Sequence, residues 1–199
     1  PLLGPPAGPA IARGPSSLLA KEDRPLFDSS IVIRDEPHRA RGLRSRAFDG
    51  EGLPTAARDL VADGKITGWL LDTASAKQLG LTPTGHANRG GGASGVGASN
   101  LHLAAGNVTP TALMEGIADG VYITELIGHG VNPVTGDYSR GASGFLIKDG
   151  VLAGPIAEFT IAGNLIDMFA ALTPANDLEF RHGTNAPTLR IDGMTVASS

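Results

Sequence analysis

The sequence predicts an α+β protein that is rich in β-strands, with mostly antiparallel sheets in a sandwich or barrel-like arrangement and a few short helices. Three observations support this fold class. The 199-residue chain contains 28 glycines and 14 prolines, which is high for a helical protein. Its clearest local patterns are pairs of strands joined by a tight turn, and its helical stretches are short. With 41% hydrophobic residues, the chain can bury one substantial core.

Two segments predict β-hairpins. In the first, residues 58–62 and 65–71 flank Asp63-Gly64, and in the second, residues 144–148 and 151–152 flank Asp149-Gly150. Asp-Gly tolerates positive φ at both central positions of a type I′ turn, whose twist matches that of antiparallel strands. These hairpins are therefore predicted from local sequence alone.

The remaining elements follow from periodicity and cap residues. Further strands are predicted at 121–127, 155–161, 188–191 and 194–197. The predicted helices run from Thr73 to Gly80, from Thr109 to about Gly120, and from Asn164 onward. Threonine and asparagine are suitable cap residues, and Pro110 suits a first helical position. After Asn164, the spacing i, i+3, i+4 and i+7 gives an apolar stripe that predicts packing on a sheet: Leu165, Met168, Phe169 and Leu172.

The chain is expected to have an arm and one domain. Residues 1–25, which begin with Pro1 and contain Gly4-Pro5-Pro6, are interpreted as a poorly ordered, linker-like arm. Residues 26–199 are interpreted as a β-rich domain from a longer protein. Within it, residues 85–106 are rich in glycine and are expected to form a long mobile loop of a kind that is often functional. This tract follows no clear strand and opens no helix, which argues against a dinucleotide-binding loop.

Composition excludes several classes of function. The net charge of −4 and the absence of a long Lys/Arg block argue against nucleic-acid binding. No apolar run approaches the roughly 20 residues that a membrane span needs, so no membrane association is expected. The chain has no cysteine, which excludes a thiol nucleophile or thiolate ligand and fits a cytoplasmic location.

The five histidines do not predict a metal site. The nearest pair in the sequence, His86 and His102, is separated by sixteen residues, and no histidine is followed by glutamate. A helical zinc site needs two imidazoles on one helix face, with a carboxylate beside them for hydrolysis. The five histidines are interpreted as surface or turn residues: His38, His86, His102, His129 and His182.

The densest polar constellation runs from Gly136 to Gly144. Arg140 could hold a carboxylate in a bidentate manner, Asp137 could orient it, and the flanking glycines would let a peptide approach the backbone. The same residues could instead form a connecting turn that is closed by an Asp-Arg ion pair. The residues alone leave these two interpretations open.

The run TELIGHGVNPVTGDYSRGASGF at 124–145 resembles the TldD/PmbA family, also called the modulator of DNA gyrase family, and specifically its TldE/PmbA branch. The likeness continues through PIAEFTIAGNL at 155–165, Asn176-Asp177-Leu178 and Met194-Thr195-Val196. Upstream, it includes FDGEG at 48–52, WLLD at 69–72 and KQLGLTPTGHA at 77–87. The resemblance covers the chain from about Leu26 to its end and implies the β-rich C-terminal region of such a protein.

The resemblance also implies a cytoplasmic zinc-dependent peptidase system that acts on peptides and unfolded proteins. In TldD-like subunits, zinc is held by an HExxxH helix and by a cysteine after the Asn-Asp-Leu motif. Here the matching stretch, residues 179–187, has no cysteine, and His182 is a weak substitute. We therefore expect no catalytic residue, no metal ligand and no cofactor in this chain, with zinc only in a TldD-like partner.

The expected role is that of a non-catalytic subunit, in a heterodimer with a TldD-like zinc peptidase or in a homodimer. Such a subunit would bind a peptide or unfolded protein, with an exposed strand edge and the glycine-rich residues 88–97 as further candidate surfaces. The alternatives are a stand-alone homodimeric peptidase and a non-enzymatic binding or assembly module. The predicted peptide- or partner-binding residues are Asp137, Tyr138, Ser139, Arg140, Gly141, Gly144 and Asn164.

Overall fold

The computed structural model describes residues 24–89, 95–128, 130–132 and 134–198. Within these ranges the chain forms two compact units. Unit 1 contains Ser29–Ala104 and Leu178–Ala186. Unit 2 contains Leu26–Asp28, Ala105–Asp177 and the chain from Pro187 onward. Nearly all of the predicted arm at residues 1–25 lies outside the described residues.

Unit 1 is built on a five-stranded sheet in the order β11-β6-β1-β2-β3. Its strands are β1 (Ile33–Asp35), β2 (Arg58–Ala62), β3 (Lys65–Ile66), β6 (Leu101–Leu103) and β11 (Thr184–Asn185). All neighbours are antiparallel except β6 and β11, which are parallel. A separate two-stranded ladder joins β4 (Ala87–Asn88) to β5 (Gly95–Val96). Among its described residues, unit 1 has one helix, α1 (Thr73–Leu79).

The core of unit 1 lies under the central strands. Ile33, Leu60 and Leu103 are buried on the sheet. Helix α1 takes part in a small apolar cluster of Trp69, Leu71 and Ala76, with Ile66 and Leu79 packed against it.

Unit 2 is built on a four-stranded antiparallel sheet in the order β13-β9-β8-β7. Its strands are β7 (Asp119–Ile127), β8 (Asp137–Lys148), β9 (Val151–Asn164) and β13 (Thr195–Ser198). A second, two-stranded sheet pairs β10 (Leu172–Pro174) with β12 (Leu189–Ile191). Two short helices, α2 (Pro110–Met114) and α3 (Leu165–Ala170), connect these strands.

The β-rich, mostly antiparallel fold class is confirmed, with three short helices among the described residues. In that part of the chain no sheet closes into a barrel. None of the helices there is long and apolar enough to cross a membrane.

Both predicted hairpins are confirmed at their turns, but the second strand of the first hairpin ends at Ile66 rather than at residue 71. Asp63 and Gly64 have φ values of 50° and 70°, and Asp149 and Gly150 have φ values of 48° and 80°, as a type I′ turn requires. The second hairpin is much longer than predicted, because its strands extend to Asp137 and Asn164.

The predicted helices are present with different ends. The first is capped by Asp72 rather than Thr73, because the Asp72 side chain accepts a hydrogen bond from the Ser75 amide. The second begins as predicted after Thr109 but ends at Met114 rather than near Gly120. The third is capped by Asn164, as predicted.

The prediction of one long mobile loop over residues 85–106 is wrong at both flanks. Residues 87–88 pair with residues 95–96, and Leu101–Leu103 form the buried strand β6, an inner strand of the sheet of unit 1. The pattern Leu-His-Leu is too short to be recognised as a strand without its partners. Residues 90–94, which hold three of the seven glycines in this range, lie outside the described residues.

Candidate functional site

The predicted site from Asp137 to Gly144 lies on β8, an inner strand of the sheet of unit 2. The interpretation of these residues as a connecting turn is therefore wrong. Asn164, the most distant predicted site residue in the sequence, is brought next to the others because it pairs directly with Asp137 at the end of the β8 and β9 ladder.

The alternation of side chains along β8 divides the predicted site between two faces of the sheet. Tyr138 and Ala142 are buried on one face, together with Phe159 and Ile161 of β9. Ser139 and Gly141 lie on the other face, since successive residues of a strand point to opposite sides. The structure thus does not bring all predicted residues to one surface.

The second side of the sheet, which we call the open face, carries small side chains. Directly paired residues of neighbouring strands lie on the same face. One row across all four strands therefore consists of Ile127, Gly141, Thr160 and Ala197, and the next rows add Glu125 with Ser143 and Ser139 with Ala162 and Thr195. Most of these residues are exposed, including Ile127 at 54%. Another polypeptide backbone could approach such a surface closely.

Hydrogen bonds fix the corner where Asp137 meets Asn164. The Asn164 amide donates to the Thr135 carbonyl at 3.1 Å, while its oxygen accepts from the Ile166 amide at 3.1 Å and caps α3. Thr135 Oγ1 donates to Asp137 Oδ2 at 2.6 Å. Asn132 caps the preceding turn by accepting from the Val134 amide at 3.0 Å. These bonds give Asn164 a structural role.

Arg140 and Tyr138 lie on the buried side. Arg140 donates from Nη2 to the Leu126 carbonyl at 3.1 Å, and its buried Nε has no hydrogen-bond acceptor among the described residues. Tyr138 is 3% exposed, and burial raises the pKa of its phenol, although the nearby Arg140 opposes this shift. No ion pair joins Arg140 to Asp137 in the described part of the chain, so the predicted Asp-Arg closure is wrong.

Gly144 is required by a close approach of two backbones. A Cβ atom added at Gly144 would overlap the Tyr122 carbonyl oxygen and lie 2.9 Å from the carbonyl carbon. Gly141, by contrast, would place its Cβ 3.5 Å from the nearest atom, an ordinary contact. Gly144 therefore shapes the pairing of β7 with β8, and Gly141 leaves space on the open face.

Sequence reasoning missed a pair of β-bulges beside Ser143. On β7 the extra residue is Thr124, and on β9 the two residues Ala157 and Glu158 lie opposite Ser143. Glu158 adopts a φ of 56°, a left-handed conformation that costs about 1–2 kcal/mol for a residue with a Cβ. Bulges often occur next to functional sites. They place two exposed carboxylates, Glu125 and Glu158, on either side of Ser143.

A second polar network is buried in unit 1. Asp35 is fully buried and accepts from the Ser99 amide at 2.8 Å and the Ser99 hydroxyl at 2.7 Å. His86 Nε2 lies 3.1 Å from Asp35 Oδ2, and Nδ1 lies 2.9 Å from Thr84 Oγ1. Burial would raise the pKa of the Asp35 carboxyl, but the hydrogen bonds from His86 and Ser99 lower it below its ordinary value.

This network differs from a serine hydrolase triad. In a triad the histidine lies between the serine and the carboxylate, so that it can take the proton of the nucleophile. Here the carboxylate of Asp35 lies between Ser99 and His86, and Ser99 is only 1% exposed. The hydrogen bonds of this network therefore connect β1 to the residues just before β4 and just before β6.

The interpretation of all histidines as surface or turn residues is wrong for two of them. His86 is 2% exposed and His102 is 8% exposed, whereas His38 and His182 are exposed. His129 lies outside the described residues. His102 Nδ1 has no hydrogen-bond partner in the described part of the chain and lies 4.0 Å from Glu36 Oε2. Burial lowers the pKa of His102, with a smaller opposing effect from Glu36.

The zinc that the resemblance implies for the peptidase system does not fit the described residues. Across 24–89, 95–128, 130–132 and 134–198, no three or more His, Asp or Glu side chains form a group that could hold a metal ion, and the chain has no cysteine. His86 is already engaged by Asp35 and Thr84. His102 faces one carboxylate, which is fewer than the three protein ligands of a catalytic zinc site.

Comparison with known proteins gives the family of the chain. The profile of the PmbA/TldA metallopeptidase C-terminal domain matches residues 2–198. The Escherichia coli O157:H7 protein named Metalloprotease PmbA is 37% identical over 197 residues, which cover 98% of this chain and 42% of that protein. The chain thus spans less than half the length of such relatives.

Solved structures of similar proteins have the same fold as this chain. A Bacteroides thetaiotaomicron protein named as a modulator of DNA gyrase is 30% identical, with a TM-score of 0.87 over 100% of this chain and 44% of that one. TldE from Thermococcus kodakarensis has a TM-score of 0.87 at 24% identity over 99% of this chain and 47% of its own, which shows a shared fold. The resemblance noted in the sequence is confirmed, and the chain belongs to the PmbA/TldD family, of which it represents the C-terminal domain.

Proposed function

We propose that this chain is part of a TldE/PmbA-type subunit that carries no zinc of its own and pairs with a TldD-like zinc peptidase in the cytoplasm. The subunit helps to hold a peptide or unfolded protein in an extended conformation while the partner cleaves it. Support comes from the 37% identity to Metalloprotease PmbA over 98% of the chain.

The observation that carries the proposal is the unpaired edge of β7. Among the described residues, β7 pairs with β8 on one side and with no strand on the other. An edge strand presents unpaired main-chain groups, to which an extended peptide can add as a further strand. Such pairing depends on extended conformation more than on side-chain identity, which suits a subunit that receives many unfolded substrates.

The predicted residues have different roles, which depend on whether they lie on the open face next to this edge. Asp137, Ser139 and Gly141 are the candidates for contact with the peptide or the partner subunit. Tyr138, Arg140, Gly144 and Asn164 act as positioning residues, because their side chains or close approaches maintain the sheet and its corner.

Reconstitution tests the subunit role. The purified protein alone should contain no stoichiometric zinc by mass spectrometry and should not cleave an unfolded substrate such as casein. Mixing it with a TldD-like partner should restore cleavage. Zinc and peptidase activity in the isolated protein would instead favour a stand-alone homodimeric enzyme. Failure to bind either a partner or a peptide would favour an assembly module without a peptidase connection.

A pair of variants tests the open face. Ser139→Trp places a large side chain among the small ones, and it should abolish reconstituted cleavage while the protein stays folded. Thr173→Trp is the matched control, since Thr173 is an exposed strand residue in the other sheet of unit 2. Equal activity of the two variants would contradict a role for the open face.

A further inference from the structure

The side chains along the β7 edge form a defined pattern on the open face. By the alternation of the strand and its pairing with β8, Ile127 and Glu125 lie on the open face. The bulge at Thr124 shifts the register by one residue, so that Tyr122 follows on the same face, opposite Phe145. The edge therefore presents an aliphatic, an acidic and an aromatic residue in succession.

The acidic residue at this edge has no counter-charge among the residues that the structure describes. Glu125 is exposed and makes no ion pair or side-chain hydrogen bond within the described residues. The same holds for Glu158, on the other side of Ser143. Both carboxylates are therefore available to a cationic group from outside the sheet.

The basic residues of unit 2 are already engaged. The unit has ten acidic residues and only three basic ones in its described ranges. Lys148 pairs with Asp119, Arg190 bonds to Asp192 and two carbonyls, and Arg140 donates to the Leu126 carbonyl. A ligand that pairs with β7 thus meets a negative field that this unit does not neutralise.

The geometry of an added strand determines where its side chains lie. A strand next to β7 places one residue directly opposite Glu125, with Cβ atoms about 4.5–5.5 Å apart. The residues two positions before and after it lie on the same face as Glu125, opposite Ile127 and Tyr122. The spacing is the same on both sides because, at the bulge, one residue of the added strand lies opposite both Thr124 and Ile123. A lysine or arginine at the central position would pair with Glu125, and apolar residues at the outer positions would contact the apolar neighbours.

We infer that the β7 edge selects extended peptides with the pattern apolar-x-Lys/Arg-x-apolar, with the basic residue opposite Glu125. This inference rests on the proposed function, because it specifies which peptides the edge prefers.

Binding of three labelled heptapeptides, measured by fluorescence anisotropy, tests this preference. The peptides have isoleucine at positions 2 and 6, threonine at the odd positions, and Lys, Gln or Glu at position 4. The Lys peptide should bind about two- to five-fold more tightly than the Gln peptide, the effect of one cross-strand charge pair, and the Glu peptide should bind most weakly. The difference should shrink in 0.5 M salt, where the Debye length is only about 4 Å.

Variants assign the preference to one residue. Glu125→Gln should make the Lys and Gln peptides bind equally, whereas Glu115→Gln should leave the preference unchanged. Glu115 is a matched control because it is also exposed in unit 2 but follows helix α2, outside the sheet. An equal loss of preference in both variants would indicate an effect of net charge alone and would overturn the assignment to Glu125.

The outcomes separate this inference from the proposed function. Equal binding of all three peptides to the unmodified protein would overturn the charge preference and leave peptide binding by the edge intact. Absence of binding by every peptide would contradict the proposed function itself. Two further peptides, with N-methyl groups on the odd or the even residues, test main-chain pairing, because only one set of amides can point toward β7. Equal binding of both would contradict pairing at the edge.

Discussion

Gly144→Ala is expected to destabilise the protein strongly, because no space exists for a side chain between β7 and β8. The added Cβ would overlap the Tyr122 carbonyl oxygen, and it would lie 2.9 Å from the carbonyl carbon and 3.1 Å from the Ile123 Cα. All of these atoms belong to the backbone of a paired strand, so no side chain can rotate away. Relief requires that the strands separate beside the Thr124 bulge.

The expected size of the effect follows from two contributions. Overpacking of a close contact typically costs about 1–3 kcal/mol, and each weakened ladder hydrogen bond adds about 1 kcal/mol. We expect a loss of about 3 kcal/mol in the free energy of unfolding. For a chain of this size, that corresponds to a decrease of about 6–12 °C in Tm.

Gly154→Ala is the matched control on the same sheet. A Cβ at Gly154 has no atom within 4 Å, and alanine loses less backbone entropy than glycine in a strand. This variant should be as stable as the unmodified protein or more stable by up to about 1 kcal/mol.

Thermal unfolding of both variants is followed by circular dichroism and by the fluorescence of Trp69, the single tryptophan, which lies in unit 1. A change of less than about 0.5 kcal/mol for Gly144→Ala, the usual range of a surface substitution, would refute the close approach.

Two further predictions concern the buried carboxylate and the strained bulge. Asp35→Asn should cost about 2–3 kcal/mol, since it removes a charged acceptor of buried hydrogen bonds, and Asp63→Asn in an exposed turn should cost little. Because the folded-state pKa of Asp35 is lowered, its ionisation stabilises the fold above the ordinary aspartate pKa of about 3.9, and this stability is lost as the pH falls below that value. Urea titrations between pH 3 and 7 should therefore show a weaker acid dependence for Asp35→Asn, and an unchanged slope would contradict the network. Glu158→Gly should relieve the left-handed strain and gain up to about 1 kcal/mol, whereas Glu158→Gln should gain nothing; equal stabilities would show that Glu158 is unstrained.

The parts of the fold that could be predicted are those that depend on near neighbours in the sequence. Asp63-Gly64 and Asp149-Gly150 determine their turns through backbone preferences alone, and Asn164 caps α3 two residues away. The strands that sequence reasoning missed, such as β1 and β6, have only three residues each. Their position depends on distant partners, and three residues cannot establish a reliable period.

The candidate site was predicted only in part for the same reason. The run from Asp137 to Gly144 is recognisable as a sequence motif, but the division of its side chains between two faces requires knowledge that β8 is an inner strand. The bonds of Asp35 to His86 and Ser99 span 51 and 64 residues, and no spacing rule indicates them. The left-handed conformation of Glu158 could not be predicted either, because glutamate is not a residue type that favours positive φ.

Each unit is assembled from separated stretches of chain, and this interleaving has a consequence for biosynthesis. Strand β11 at Thr184–Asn185 completes the sheet of unit 1 by pairing with β6, more than 80 residues earlier. The sheet of unit 1 is therefore incomplete until β11 has been synthesised, which happens after most of unit 2. The two sheets of unit 2 are in turn incomplete until β12 and β13 have been synthesised. A nascent chain stopped near Asp177 would hold two incomplete sheets, so residues 184–198 complete both units at nearly the same time.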